Sequence, residues 1–400
     1  MSFSAYKAID ALIPLIIIPY LINVVGSEKY GIYAFGFALI FYLINIVQYG
    51  FSLSAVRLIS LNRENKTKLN SIYSQVFTTQ LYLTFTVLFV LSLLVSFVDK
   101  FSEYYVIYLF FYILIIGELL TPMWLFLGIE KMRFITIVNL ISKSTFAILT
   151  FLLVNKESDF IYISLYQSIG FLISGLTAQY IVFVKLRIKF SLVSFYQVKI
   201  MLKDGVSSFL TLITPTIYTN TSIFLIGVFG VPQFVSYMQI GTKVSGAFSV
   251  LNTILTNVFY PIINRNNNLF KRVKYIFIFF GSLLSLIMYF CSEFLISIWI
   301  PEDSTEIIRV VKYLSPTPFL ASVISIYGVN GLLVQNKDKL YMIIVAIGSI
   351  SGFLMGLLLI PKYYYIGGAI TVVFALSIKA ILSFVYNKKT TNQLKQENEV

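Results

Sequence analysis

The sequence predicts an all-α integral membrane protein of about 12 transmembrane helices in two halves of six, with both termini cytoplasmic. Three observations predict it. Of the 400 residues, 58% are hydrophobic and only 12% charged, about half the charge that a soluble surface carries. Apolar runs long enough to cross a bilayer core, roughly 20 residues, recur along the chain. The connections between them alternate between rich and poor in Lys and Arg.

Read between charged or Pro/Gly breaks, the runs are 7–25, 31–55, 71–98, 103–127, 134–154, 160–184, 205–229, 234–260, 274–299, 307–335, 340–360 and 366–386. The first begins at Lys7 and carries Pro14, Pro19 and Asn23. It is too long and too polar at its end for a cleaved signal peptide, and is expected to remain as a span. With the N-terminus inside, 21 basic residues fall in inner segments, six in outer loops, and Lys143, Lys243 and Lys379 within spans. This positive-inside bias places both termini in the cytoplasm. The net charge of +13 is thereby accounted for by topology, and no nucleic-acid partner is expected.

The loops are too short for a soluble domain. The chain divides into an N-terminal lobe over 1–184, a cytoplasmic linker over 185–204, a C-terminal lobe over 205–386 and a cytoplasmic tail over 387–400. Basic residues alternate with aromatic and aliphatic ones along the linker, which suits a segment lying on the membrane surface. A weak parallel repeat supports the two halves. GSEKYGIY (Gly26–Tyr33) precedes the second span, and GVPQFVSY (Gly230–Tyr237) precedes the eighth.

Composition excludes much chemistry. The chain has no His and one cysteine, Cys291, inside an apolar run. Histidine-based catalysis, disulfides and thiolate metal sites are therefore not expected. No Gly-rich phosphate loop or paired carboxylates appear, so neither catalytic residues, metal nor cofactor is expected.

The informative residues are polar ones inside spans, where an ionisable group is costly without a partner or water. Lys243 lies on a stripe with Gln239, Gly246, Ser249, Asn252, Thr253 and Thr256. Such a stripe either packs through small residues or lines water. Span 7 offers a matching face that includes Tyr218, and span 2 offers Tyr42, Asn45, Gln48, Tyr49 and Ser52, ending at Arg57. Lys143 shares a helical face with Asn139 and Thr136. Glu118 sits at the same depth as Lys143 on the preceding span, which suggests an ion pair. Lys379, near the inner end of the last span, is placed to snorkel. Asp10 and Glu118 each precede a proline by four residues (Pro14 and Pro122). The proline leaves the acid's own carbonyl without its helical donor, a setting suited to ion coupling.

IPYLINVVGSEKYGIYAF (Ile18–Phe35), YGFSLSAVRLIS (Tyr49–Ser60) and PMWLFLGIEKMRFITIVNL (Pro122–Leu140) resemble the polysaccharide-biosynthesis membrane proteins. These are the Wzx-type O-antigen flippases of the multidrug/oligosaccharidyl-lipid/polysaccharide exporter superfamily. The resemblance implies a MATE-like pair of lobes around a central cavity in the bacterial inner membrane. It also implies alternating-access transfer of an undecaprenyl-pyrophosphate-linked oligosaccharide, an O-antigen or capsule repeat unit. Membrane lipids, a polysaccharide polymerase and a chain-length regulator are the partners it implies. The residues fit an anionic cargo: Lys243, Lys143, Arg57 and Lys379 would attract pyrophosphate, and Gln239, Asn252, Asn139, Asn45 and Tyr218 suit sugar hydroxyls. A multidrug/cation antiporter is the main alternative, and the excess of intramembrane Lys over acid argues against it. A membrane-embedded polymerase is disfavoured because no outer loop is large enough for it.

Overall fold

The computed structural model describes residues 3–266 and 269–398, with side chains from 13–213, 220–266 and 269–390. Asp10 and Tyr218 lie outside the described side chains. Among the described residues every regular element is helical, and nine helices are long and apolar enough to cross a membrane. Two of the nine are far longer than one crossing needs: Ile13–Ser60 and Asp338–Thr390. Both are broken inside. Gly26 interrupts α1 (Phe3–Gln48) at φ 80° and ψ 158°, and Tyr364 interrupts α14 (Asp338–Asn398) at φ 46° and ψ −121°. Positive φ costs glycine little and tyrosine considerably more. The first repeat copy therefore opens on a helix break at Gly26, and the second, Gly230-Val231, separates α9 (Phe195–Phe229) from α10 (Pro232–Arg265).

The chain forms two compact units. One comprises Met1–Tyr6 with Val24–Ile213, the other Lys7–Asn23 with Thr214–Val400. In the first unit, α2 (Phe51–Ser60), α3 (Lys66–Phe97), the one-turn α4 (Asp99–Ser102), α5 (Tyr105–Leu119), α6 (Met123–Gly128), α7 (Met132–Leu153) and α8 (Phe160–Tyr180) follow α1. Trp124, Phe126, Tyr73, Phe51 and Ile59 are fully buried at its centre.

Helix α8 packs against both α5 and α7, and glycine makes this possible. A methyl group at Gly175 would stand 2.6 Å from the Gly117 carbonyl oxygen, and one at Gly170 would stand 2.5 Å from that of Ser142. Without a solvent to drive helices together, such close backbone approach is what holds membrane helices side by side.

In the second unit, α11 (Phe270–Trp299), α12 (Ser304–Leu314), α13 (Thr317–Val323) and a π-helical segment, Ile324–Leu333, lie between α10 and α14. Asn23 Nδ2 donates to the Trp299 carbonyl at the end of α11 over 2.9 Å, supplying a donor that the helix terminus lacks. Beside the break in α14, Phe234 packs in tilted contact with Tyr364 and Tyr365, ring centroids 5.2 and 4.9 Å away.

Candidate functional site

Broken helices at membrane depth leave carbonyls that no water can satisfy, and the first unit closes them with side chains. Pro122 ends the α5 segment. The carbonyl of Glu118, expected to be freed by that proline, is instead taken by the N–H of Thr121 at 3.0 Å. The Leu120 carbonyl accepts from Gln179 Nε2 (2.7 Å), and Gln179 Oε1 accepts from the Tyr73 hydroxyl (2.7 Å). At the end of α1, the Val47 carbonyl accepts from Gln80 Nε2 (3.4 Å), while Gln80 Oε1 accepts from Trp124 Nε1 (3.0 Å). Two glutamines and two aromatic rings thus brace the breaks.

Between those breaks is a cavity of about 260 Å³. Asn45 and Gln48 from α1, Gly50, Ser52 from α2, Glu118 from α5, Met123 from α6, and Phe209, Leu212 and Ile213 from α9 line it. Tyr49 and Gly50 adopt φ of 43° and 70° and turn the chain sharply from α1 into α2. Gly50 is required there, since a methyl group would meet the Phe209 backbone nitrogen at 2.4 Å. Tyr49 stacks on Phe209, centroids 4.9 Å apart.

Gln48 Nε2 donates to Glu118 Oε1 at 2.5 Å. The expected Glu118–Lys143 pair is therefore not the arrangement found. The physical reason is packing order: α8 lies against both α5 and α7, so the helices carrying Glu118 and Lys143 are each partnered by α8. Lys143 is half-buried on α7. Asn139 adjoins the cavity wall, its Nδ2 directed at Met123 Sδ (4.0 Å) and the Ile135 carbonyl (2.9 Å). Arg57 is exposed near the end of α2. Of the residues singled out in this unit, the cavity gathers Asn45 and Glu118 and borders Asn139. Gln48 was legible only as one member of the polar face of span 2, since a partner 70 residues away leaves no local signal.

In the second unit the polar stripe on α10 divides into two faces. Asn252, 1% exposed, donates to the Pro318 carbonyl (2.8 Å) and accepts from Ser322 Oγ (2.6 Å). Ser245 shares a 2.5 Å hydrogen bond with Thr317. This face ties α10 to the start of α13, so Asn252 is a packing residue rather than one facing a cargo path. Gln239 is also buried. The other face carries Lys243, Gly246 and Thr253. A methyl group at Gly246 would meet nothing within 4 Å, and Thr253 is exposed. Among the described residues, no hydrogen bond or ion pair reaches the half-buried Lys243 ammonium. Lys379, 4% exposed, lays its stem against Gly348, where an added methyl would stand 2.3 Å from its Cγ.

Long apolar helices, internal breaks braced by side chains and polar faces at membrane depth define a multi-span α-helical membrane protein. More narrowly, the chain belongs to the polysaccharide biosynthesis protein family, which it matches over residues 1–267. The resemblance read from the first spans is borne out at that level. The chain is 29% identical over 389 residues to a protein of Escherichia coli (strain K12) named "Putative O-antigen transporter", covering 94% of each. Among solved structures it superposes on the lipid II flippase MurJ in an inward closed conformation with a TM-score of 0.70. The identity is 17%, over 96% of this chain and 87% of that one. An inward-facing multidrug resistance MATE family transporter of the MOP superfamily gives 0.67 at 14%, over 96% and 99%. These likenesses show a shared fold.

Proposed function

We propose that the protein is a flippase. It carries undecaprenyl-pyrophosphate-linked oligosaccharide, an O-antigen or capsule repeat unit, across the bacterial inner membrane by alternating access. Family membership and the transporter relative support the cargo class, and the likeness to a lipid II flippase supports the fold's fitness for it. The observation that carries the reading is Lys243. An ammonium at membrane depth on an open, polar helix face is costly unless water or an anion supports it, and a pyrophosphate supplies that anion. Lys143, Arg57 and Lys379 add positive charge along the route, and Gln239, Asn139, Asn45 and Tyr218 offer hydrogen bonds to sugar hydroxyls.

The reading uses twelve spans with both termini cytoplasmic. The helices broken at Gly26 and Tyr364 each count as two, and α9, of which Asn220–Phe229 is a short apolar helix, supplies the twelfth. The lobes follow the boundaries 1–184 and 205–386, joined by the surface linker 185–204.

A multidrug antiporter of the same superfamily is the second reading, favoured by one observation: the polar cavity of the first unit holds an acid, Glu118. Its volume of about 260 Å³ falls below the roughly 300–1,000 Å³ of sites for drug-sized ligands. Complementation of a flippase-null strain, scored by surface glycan, decides between the two readings. Restoration by the wild-type chain supports the flippase. Drug resistance without restoration supports the antiporter.

A further inference from the structure

The segment between the π-helical turn Ile181–Lys185 and α9 carries no cargo residue in the flippase reading. Arg187, at φ 52°, turns the chain out of the π-helical turn, and residues 186–194 run on without helix. This strap is laid along α3 by its own backbone. The Lys189 N–H donates to Asn70 Oδ1 (2.9 Å) and the Ser191 N–H to Ser74 Oγ (3.1 Å), two acceptors about one helical turn apart. The Phe190 ring meets Tyr73 and Phe77 edge-on at 6.3 and 5.3 Å. Phe195, at the start of α9, meets Tyr82 edge-on at 5.8 Å.

These contacts fix the depth of the strap. Helix α3 has 32 residues and is about 48 Å long, against roughly 30 Å of hydrocarbon. No charged residue interrupts it from Leu69 to Phe97, and Asp99 and Lys100 follow. Counting about 20 residues back from Asp99 places the other hydrocarbon edge near Thr79. Asn70 and Ser74 therefore stand outside the hydrocarbon and Tyr82 just within it. The strap descends to the interface, and α9 begins there.

One side of this segment is anchored, since Ile188, Val198 and Met201 are buried. The other side is open. Leu192, Phe195 and Tyr196 are 71, 66 and 73% exposed, and large apolar side chains grouped in this way mark an interaction surface. Around them Lys185, Arg187, Lys189, Lys199 and Lys203 are exposed, and Asp204 is the one acid in 181–204. Lys66 and Lys68, exposed beside Glu64 at the start of α3, add to the same edge. At this depth the complementary surface is phospholipid. Aromatic rings settle at headgroup level, lysine stems reach from apolar surface to phosphate, and a cluster of basic residues there is drawn to anionic headgroups.

We infer that the strap and the start of α9 form a binding surface for anionic phospholipid. Phe195 and Tyr196 are seated at the boundary of headgroups and acyl chains, and Lys185, Lys189, Lys199 and Lys203 meet the phosphates. The inference rests on the surface-linker reading and is independent of the cargo.

The test uses the full chain. Native mass spectrometry counts the phosphatidylglycerol and phosphatidylcholine retained from nanodiscs that hold equal amounts of the two. One Lys near an anionic surface favours it by about fivefold, so the wild type is expected to prefer phosphatidylglycerol by about fivefold or more. Lys185→Gln, Lys189→Gln, Lys199→Gln and Lys203→Gln together should lower that preference by about fivefold. Four charges removed elsewhere, by Lys271→Gln, Arg272→Gln, Lys388→Gln and Lys389→Gln, should leave it in place. An unchanged preference in the linker variant, or an equal fall in the control, overturns the inference. A nitroxide on Tyr196→Cys, in a Cys291→Ser background, reads depth separately. Greater access to oxygen than to a water-soluble nickel chelate supports the seat at the interface. Greater access to the chelate overturns it together with the surface-linker reading, and leaves the face to a soluble partner. An oxygen-accessible nitroxide without any phosphatidylglycerol preference overturns headgroup recognition alone.

Discussion

Gln48 and Glu118, 70 residues apart, meet through a 2.5 Å hydrogen bond at the point where two helices break. The bond matters because the carboxylate is otherwise surrounded by a methionine, aromatic and aliphatic wall and the polar ends of α1 and α2. Removing the donor strands a charged acceptor, which costs more than the bond itself contributes. Gln48→Leu is expected to destabilise the protein by about 1–3 kcal/mol. The double change Gln48→Leu with Glu118→Leu should recover most of that loss. Thermal unfolding in detergent measures both, and a double variant as unstable as the sum of two single losses would remove the bond from the account.

For cargo transfer the sensitive residue is Lys243. Lys243→Arg should retain part of the flipping activity, because the positive charge remains on the open face of α10. Lys243→Ala and Lys243→Glu should abolish surface glycan in a flippase-null strain while the protein stays inserted and abundant. Full complementation by well-expressed Lys243→Ala would take Lys243 out of the cargo path.

Helix packing supplies a paired prediction. Gly175→Ala pushes a methyl to within 2.6 Å of the Gly117 carbonyl oxygen, a clash between two backbones that neither can relieve. It should cost about 1–3 kcal/mol and lower the amount of folded protein seen by fluorescence-detected size exclusion. Gly246→Ala meets open space instead, and the better helix propensity of alanine should leave stability unchanged or raise it by up to about 1 kcal/mol.

Asn252 is expected to act through folding. Asn252→Ala abandons the Pro318 carbonyl and the Ser322 hydroxyl together, and should lower thermal stability by about 1–3 kcal/mol. Surface glycan should fall only in proportion to protein abundance. A loss of transport at normal abundance would return Asn252 to the cargo route.

Topology is checked by reporter fusions or by cysteine labelling on a Cys291→Ser background. Positions 99–102, 155–159 and 302–306 should report outside, and 62–68, 186–200 and 388–395 inside. Two of these regions on the opposite face would undo the span assignment.

The sequence by itself determined the helical membrane class and the family. These depend on local quantities: runs of apolar side chains, the density of Lys and Arg between them, and motifs such as Pro122–Leu140. Even the break at Gly26 was marked by a repeat. Tertiary structure alone decided which polar groups meet. Glu118 and Lys143 share a depth, yet the glycines of α8 bring that helix against both α5 and α7, and Gln48 takes the carboxylate. One polar stripe on α10 contains both Asn252, fully buried against α13, and the half-buried Lys243. Helical periodicity tells which residues share a face; it cannot tell what that face touches, because the partner is chosen by packing among helices distant in the chain.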